Sequence, residues 1–380
     1  MARSLAAHLD VRMLAPTTKP IDPLVARTFE EQAISLTPVG VAARGVSSEA
    51  GRLMRSYAGG VPYVMYGRHH HAALHDAVAE QLRRGTDALL LDHLDAWQYA
   101  PRGWSGGVTV DLHNVYSLLA ARVASESSWA KSLLLRQQAR SLARMERACC
   151  EGADLVFAVS QDEAAHFRDL AGTRGADVVT IPNGADTSSL QDLPTGRLSG
   201  AARILFVGTM SWAPNIEAAR FLAEEVLPAV QRRVPAELYI VGRDPSDAVR
   251  ALSRAKGVHV TGKVADVRPY LLDSALLAVP LTAGGGTRLK ILEAFAAGLP
   301  VVTTVVGGEG IAATADVHWL VAERGPAFVD AVVETLAHRQ RAADRAVLAR
   351  RLVTDEYDWH RLGERAAVAI TRVATRKQRP

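Results

Sequence analysis

The chain has 380 residues, 48% of them hydrophobic and 22% charged, which is long enough for two domains with separate cores and too apolar for wholesale disorder. Its formal net charge of +4 comes from 38 arginines and six lysines that are dispersed rather than patched. No zinc-finger, helix-turn-helix or RNA-recognition spacing accompanies them, so nucleic acid is not an expected partner, while attraction to an anionic ligand or peripheral contact with a membrane surface stays open. No apolar run approaches the roughly 18 to 20 residues that span a bilayer, and residues 1–10 lack a sustained apolar stretch or a cleavage site, so the expected location is cytoplasmic.

Strand-like runs alternate with helical ones. In the first half they fall at 11–15, 88–91, 107–111, 155–159 and 178–181. The adjacent Cys149 and Cys150 lack disulfide or metal-ligand spacing and read as helix packing. Residues 187–201 are rich in Ser, Pro and Gly without a hydrophobic period, which marks an interdomain linker. A second series of strands follows at 203–208, 237–242, 258–260, 276–280 and 301–306. The economical architecture is α/β, with two βα domains at 1–186 and 202–357 sharing a cleft and a last helix at 358–374 packing back on the first. The basic residues of 371–380 read as a solvated end.

The most informative stretch is the triple glycine Gly284, Gly285 and Gly286, which links the apolar run 275–281 to a short amphipathic helix. Thr287 is placed to cap that helix, whose free amides and dipole suit an anion. Arg288 and Lys290 oppose the dipole in the first turn, a placement that favours a phosphorylated ligand. Glu293 lies two turns in, and Gly298 followed by Pro300 ends the helix. With the strand at 301–306 this makes a βαβ unit, whose ligands bind outside the carboxyl ends of the strands. Gly-rich turns are common in α/β proteins, so the loop alone leaves a plain structural turn open. His69, His70, His71 and His75 include an i, i+4 pair, but no third ligand accompanies them and no metal is expected.

The motifs Asp-Leu-His-Asn-Val-Tyr-Ser at 111–117, Val-Ser-Gln-Asp-Glu at 159–163, Ile-Pro-Asn-Gly-Ala-Asp at 181–186, Phe-Val-Gly at 206–208, Thr-Gly-Lys-Val-Ala-Asp at 261–266 and the Gly-rich stretch 284–300 follow in order. In that order and spacing the chain resembles, over nearly its whole length, a nucleotide-sugar glycosyltransferase of the GT-B fold, glycosyltransferase family 4. The resemblance implies two Rossmann-like domains with a cleft between them, a nucleoside diphosphate on the C-terminal domain and the acceptor on the N-terminal one. It implies retaining transfer to a hydroxyl, or a thiol, without cofactor or metal, the acceptor being a sugar, a lipid-linked intermediate or a small molecule in surface polysaccharide, glycolipid or specialised metabolite biosynthesis. The Gly285, Gly286 and Thr287 amides would bind the pyrophosphate and Glu293 the ribose, or Glu293 pairs with Lys290 or Arg288 on the helix face. Gly262, Lys263 and Val264 would face the base, with Gly208, Thr209 and Arg243 completing the donor site.

Three departures matter. Gly285 stands where many members have a second glutamate. Thr209 and Asn215 stand where many have the arginine and lysine that neutralise the leaving diphosphate, so Arg288 and Lys290 are the expected replacements; the segment 210–215 resembles a subgroup with the same substitutions. Residues 3–8 and 10–15 read as the family's first helix and second strand, so one strand and its Gly-rich loop are missing. In the N-terminal domain His113 would contact the sugar or transfer a proton, or cap the next helix. His93, Gln98, Asn114 and Tyr116 are the acceptor-site candidates, His93 and Gln98 with plain loop packing as their alternative, and Glu163 is a weaker one. Two rivals remain: a sugar-nucleotide epimerase of similar shape, and a degenerate, non-catalytic partner protein. Donor base, sugar, acceptor and oligomeric state are not specified by the residues.

Overall fold

A parallel strand buried on both faces needs an unbroken apolar run, and Gly107–Leu112 (β4) meets that requirement with every residue buried. In the computed structural model, which describes residues 1–42, 51–52, 54, 56, 59–63, 66–125, 128–173, 175–190, 202–283 and 288–378, β4 lies inside a four-stranded parallel sheet. The chain divides into two units, Met1–Pro182 with Leu362–Pro380, and Asn183–Arg361.

The first unit opens with a short helix Ala2–Ala6 (α1) and strand Val11–Thr17 (β1). Helix Pro23–Glu31 (α2) follows, capped by Asp22, which accepts from the Leu24 amide at 2.9 Å. Strand Ile34–Gly40 (β2) then pairs in parallel with β1, Val11 against Ile34 through Thr17 against Gly40. Sequence patterning missed β2, because Pro38 interrupts its short alternation; a proline is tolerated there because, among the described residues, the sheet has two strands and each has a free edge. Helix Ala72–Arg83 (α3) leads into Ala88–Asp92 (β3), β4, helices Tyr116–Ser125 (α4) and Trp129–Gly152 (α5), Leu155–Ala158 (β5), helix Gln161–Ala171 (α6) and Asp177–Thr180 (β6). These four strands pair in chain order. The pair β1–β2 stays a separate sheet, so the N-terminal unit is built on a divided rather than a continuous one. Cys149 and Cys150 are buried in α5, where burial pushes the Cys150 thiol up to about 12.

The second unit carries a six-stranded parallel sheet in the order β12-β11-β10-β7-β8-β9, formed by Arg203–Val207 (β7), Glu237–Val241 (β8), Val258–Gly262 (β9), Leu276–Val279 (β10), Val301–Thr303 (β11) and Leu320–Val321 (β12). Its helices include Ala213–Phe221 (α7), Leu289–Ala296 (α8), Pro326–Ala337 (α9) and Arg339–Glu356 (α10). Helix α8 begins at Leu289 with Arg288 at the N-cap position, and Gly284, Gly285, Gly286 and Thr287 lie outside the described residues. Strand β11 stops three residues short of the expected 306. The Thr303 hydroxyl bonds the Val279 carbonyl and the Thr304 hydroxyl bonds that of Leu281, which turns the chain into a 3₁₀ segment at Val306–Gly308. Residues 183–190, read from sequence as the domain end and linker start, fall in the second unit with Leu190 buried; 191–201 lie outside the described residues.

The last helix, Trp359–Gln378 (α11), belongs to the first unit from Leu362 onward. It buries Leu362, Ala366, Ile370 and Val373 at helical spacing, and Lys377, Arg376 and Gln378 reach Asp154, Asp177 and Asp87. Among the described residues no helix is long and apolar enough to cross a membrane. Gly363 lets α11 touch α1: a Cβ there would lie 2.6 Å from the Ser4 carbonyl oxygen. Gly363→Val should therefore lower stability by about 1–3 kcal/mol, the usual cost of overpacking, read as a fall in the thermal midpoint.

Candidate functional site

Parallel strands deliver their loops to one end of a sheet, so the chemistry of each unit is sought at the strand carboxyl ends. In the second unit β7 and β8 end in close approach: the Gly208 amide donates to Val241 O at 3.0 Å, and a Cβ on Gly242, whose φ is +152°, would collide with the Gly208 carbonyl. Just beyond, Asn215 at the start of α7 is buried. Its Nδ2 donates to Thr209 O at 3.0 Å, and its Oδ1 accepts from Lys290 Nζ at 3.1 Å. The Lys290 ammonium also lies 4.6 Å from the centre of the Phe206 ring, a cation–π contact. A Cβ on Gly208 would fall 2.6 Å from Asn215 Nδ2 and 3.1 Å from Lys290 Nζ, so only glycine leaves room for this pair. Burial lowers the Lys290 pKa to about 7; Arg288 adds repulsion and Glu293 opposes it.

Thr209 and Arg243 join the same cluster, with Arg243 Nε 3.4 Å from Thr209 Oγ1 and the Arg243 side chain largely exposed. Gly262, at φ +72°, accepts from the Gly242 amide at 3.2 Å, so Gly262, Lys263 and Val264 extend the same edge from the end of β9. Arg288 takes another direction: it is 6% exposed, and its Nη2 lies 3.5 Å from Val306 O, beyond β11. Burial lowers its pKa and the Glu309 charge opposes the shift. Glu293 on α8 is exposed at the tip of its side chain; desolvation by the surrounding atoms raises its pKa and the Lys290 charge opposes the shift. A feature the sequence did not signal anchors the approach to the Gly-rich stretch. Arg324 donates to Pro280 O at 2.8 Å and to Glu217 at 2.7 Å, while Glu217 also accepts from Thr282. Partners 107 residues apart share no local motif.

In the first unit, His93 follows β3 and His113 follows β4, and their rings lie tilted by 31° with centroids 4.1 Å apart. His93 sits at φ +73°, a costly conformation for a non-glycine residue, held by its amide bond to Asp111 O at 3.0 Å. Its Nδ1 is 3.2 Å from the Tyr116 hydroxyl. His113 Nε2 is 2.9 Å from Asp92 Oδ1 and 3.5 Å from Asp111 Oδ2. Burial disfavours the His113 cation, but the Asp92 hydrogen bond and the Asp111 and Asp92 charges outweigh it and raise the pKa. Burial also depresses His93, with His113 repulsion adding to it, and pushes Asp111 up to about 6. Neither aspartate was singled out from sequence, because their value lies in facing His113 across adjacent strands. Asn114 hydrogen-bonds Tyr116, whose pKa burial raises to about 12. Gln98 is buried, its amide spent on Asp95 O and His70, so it braces the loop interior. Ser160 caps α6, its Oγ accepting from the Glu163 amide at 3.2 Å, and the Glu163 carboxyl group bonds the Ser160 side chain and the Val115 backbone, while burial raises it to about 7. Asp92, His93 and His113 hold possible metal-ligand atoms within 4.8 Å of one another, whereas His70, His71 and His75 pack against Gln98 and Tyr99.

Residues 201–338 match the family model described as Glycosyl transferases group 1, and residues 39–189 the one described as Glycosyltransferase Family 4. The chain is 27% identical over 274 residues to the GDP-mannose-dependent alpha-(1-6)-phosphatidylinositol monomannoside mannosyltransferase of Mycobacterium tuberculosis, covering 66% of this chain and 68% of that one. It is 24% identical over 277 residues to the glycogen synthase of the same species, covering 70% and 65%. Among solved structures, sucrose-phosphate synthase from Thermosynechococcus elongatus superposes with a TM-score of 0.68 at 17% identity, over 99% of this chain and 92% of that one. Anabaena HepE in complex with UDP-glucose gives 0.64 at 15%, over 96% and 100%. The shared fold is GT-B.

Two titrations test these environments. Because the Lys290 pKa of about 7 in the folded state lies below its ordinary 10.5, the unfolded state holds more protons between those values. Stability should climb with pH across that window, and Lys290→Met should remove the climb in denaturant melts. His113 should titrate above its ordinary 6.5 by imidazole NMR, and Asp92→Asn should bring it down. The pair's stabilisation is complete below 6.5 and fades as pH rises through the raised value.

Proposed function

The chain belongs to the group 1 and family 4 glycosyltransferases, and from that premise we propose that it is a retaining, metal-independent enzyme that moves a sugar from a nucleoside diphosphate donor to a hydroxyl acceptor. One observation carries the reading: the Lys290 ammonium is desolvated and aimed, through Asn215, at the turn after β7. The lysine that many family members have at position 215 is thus replaced by a cation arriving from α8. As the bond between the sugar's anomeric carbon and the phosphate oxygen breaks, its electron pair leaves with the diphosphate. A preorganised cation there stabilises the growing charge, and the anion in turn favours the charged form of Lys290.

Glu293 takes the ribose, Gly262, Lys263 and Val264 face the base, Gly208, Thr209 and Arg243 line the phosphate end, and Gly285, Gly286 and Thr287 supply amides. Arg288 adds positive potential from its buried position. On the N-terminal unit His113 handles the sugar or a proton, with His93, Asn114 and Tyr116 lining the acceptor side. The relative named for phosphatidylinositol mannoside makes a lipid-linked acceptor the first to try, and GDP-mannose and UDP-glucose the first donors.

Calorimetric titration with UDP-, GDP-, ADP- and dTDP-sugars should find one that saturates. Lys290→Ala should weaken that binding and slow transfer on the order of a hundredfold. The exchange Asn215→Lys with Lys290→Asn should restore part of the loss, because it returns a cation to the same place. Absence of binding by every donor would favour the non-catalytic partner protein, and donor turnover without an acceptor would favour the epimerase.

A further inference from the structure

Helices α4 and α5 pack against each other, and the first turns of α5 are apolar and exposed. Trp129, at the first position of α5, is 83% exposed, Leu133 one turn later is 68% exposed, and Leu134 next to it is 46% exposed. A helix repeats every 3.6 residues, so Trp129 and Leu133 share a stripe with Arg136 and Arg140, both exposed. On α4 the exposed Arg122 lies in the half of the helix nearer the start of α5. Between residues 116 and 145 the sequence has four arginines and one lysine against a single glutamate.

An apolar tip with tryptophan at its end and arginines one or two turns behind it is the layout of an interfacial anchor: the rings and leucines enter the headgroup region and the guanidinium groups meet lipid phosphates. A second copy of the chain fits less well, because a two-fold contact of this surface with itself would bring the two arginine stripes together. We infer that the start of α5, through Trp129, Leu133 and Leu134 with Arg136 and Arg140 behind them and Arg122 of α4 beside them, docks the protein on an anionic membrane surface. This names the site of a membrane contact suited to a lipid-linked acceptor, and it needs neither donor nor transfer in order to be tested.

The test is co-sedimentation of the full chain with sucrose-loaded vesicles of phosphatidylcholine alone and of phosphatidylcholine with one-third phosphatidylglycerol. Binding is expected to the second and not the first, and to weaken about tenfold in half-molar salt. Trp129→Ser with Leu133→Ser should cut partitioning at least tenfold. Arg136→Ser with Arg140→Ser should cut it on the order of tenfold and remove most of the salt dependence. These side chains are exposed, so melting curves and nucleotide titrations should match the parent protein. The inference is overturned if the parent ignores anionic vesicles, if both variants bind as well as the parent, or if light scattering without lipid shows a dimer that the apolar variant dissolves. Nucleotide binding is measured separately, so either reading can fail without the other.

Discussion

A lysine amine held away from water is unstable unless something nearby favours its charge, and the C-terminal unit is arranged around one such amine. Lys290 rests on the Phe206 ring and donates to Asn215, and the space it occupies exists because Gly208 has no side chain. Gly208 in turn is pressed against Gly242, whose own lack of a Cβ lets the ends of β7 and β8 meet. The unit therefore accepts a poorly solvated cation at the strand ends, where a diphosphate would supply the missing charge. Arg288, buried behind the same helix and turned toward Val306, adds to the field without sharing the contact.

The N-terminal unit solves a different electrostatic problem with the same topology. Adjacent parallel strands β3 and β4 place Asp92 and Asp111 side by side, with His93 and His113 just past them. Asp92 holds His113 toward its charged form, while the adjacent His93 is kept toward neutral by burial and by its neighbour's charge. Two imidazoles in contact thus differ in proton affinity, the condition under which one can hold a proton that the other does not. The loop that carries them is braced from behind. Buried Glu146 on α5 accepts from the Ser117 amide and hydroxyl at the start of α4, and Glu163 on α6 bonds Val115.

That bracing links the chemistry to the outer surface of the unit. Helix α5 contributes Glu146 to the histidine loop and Trp129, two-thirds of its length away, to the exposed end. A rigid helix of 24 residues fixes the separation between the two at a few tens of ångströms. The divided sheet places its irregularity elsewhere: among the described residues β1 and β2 pair with each other alone, while β3 to β6 carry the histidine loop on a regular parallel frame.

The amino-acid sequence by itself determined the alternation of strands and helices, since buried parallel strands such as β4, β5 and β10 need continuous apolar runs that announce themselves locally. Motif order was enough to place the family. Pattern reading failed at β2, where Pro38 masks a short strand, and at the end of β11, where two threonine hydroxyls bond carbonyls at and just past the end of β10 and turn the chain. Only the tertiary structure decided which side chains meet. It brought Lys290 to Asn215 across 75 residues and Arg324 to Glu217 across 107, turned Gln98 inward, and set Asp92 against His113. The physical reason is that periodicity records whether a residue faces the core or the solvent, whereas the partner of a polar atom is chosen by strand order and by which loops end on the same edge of a sheet.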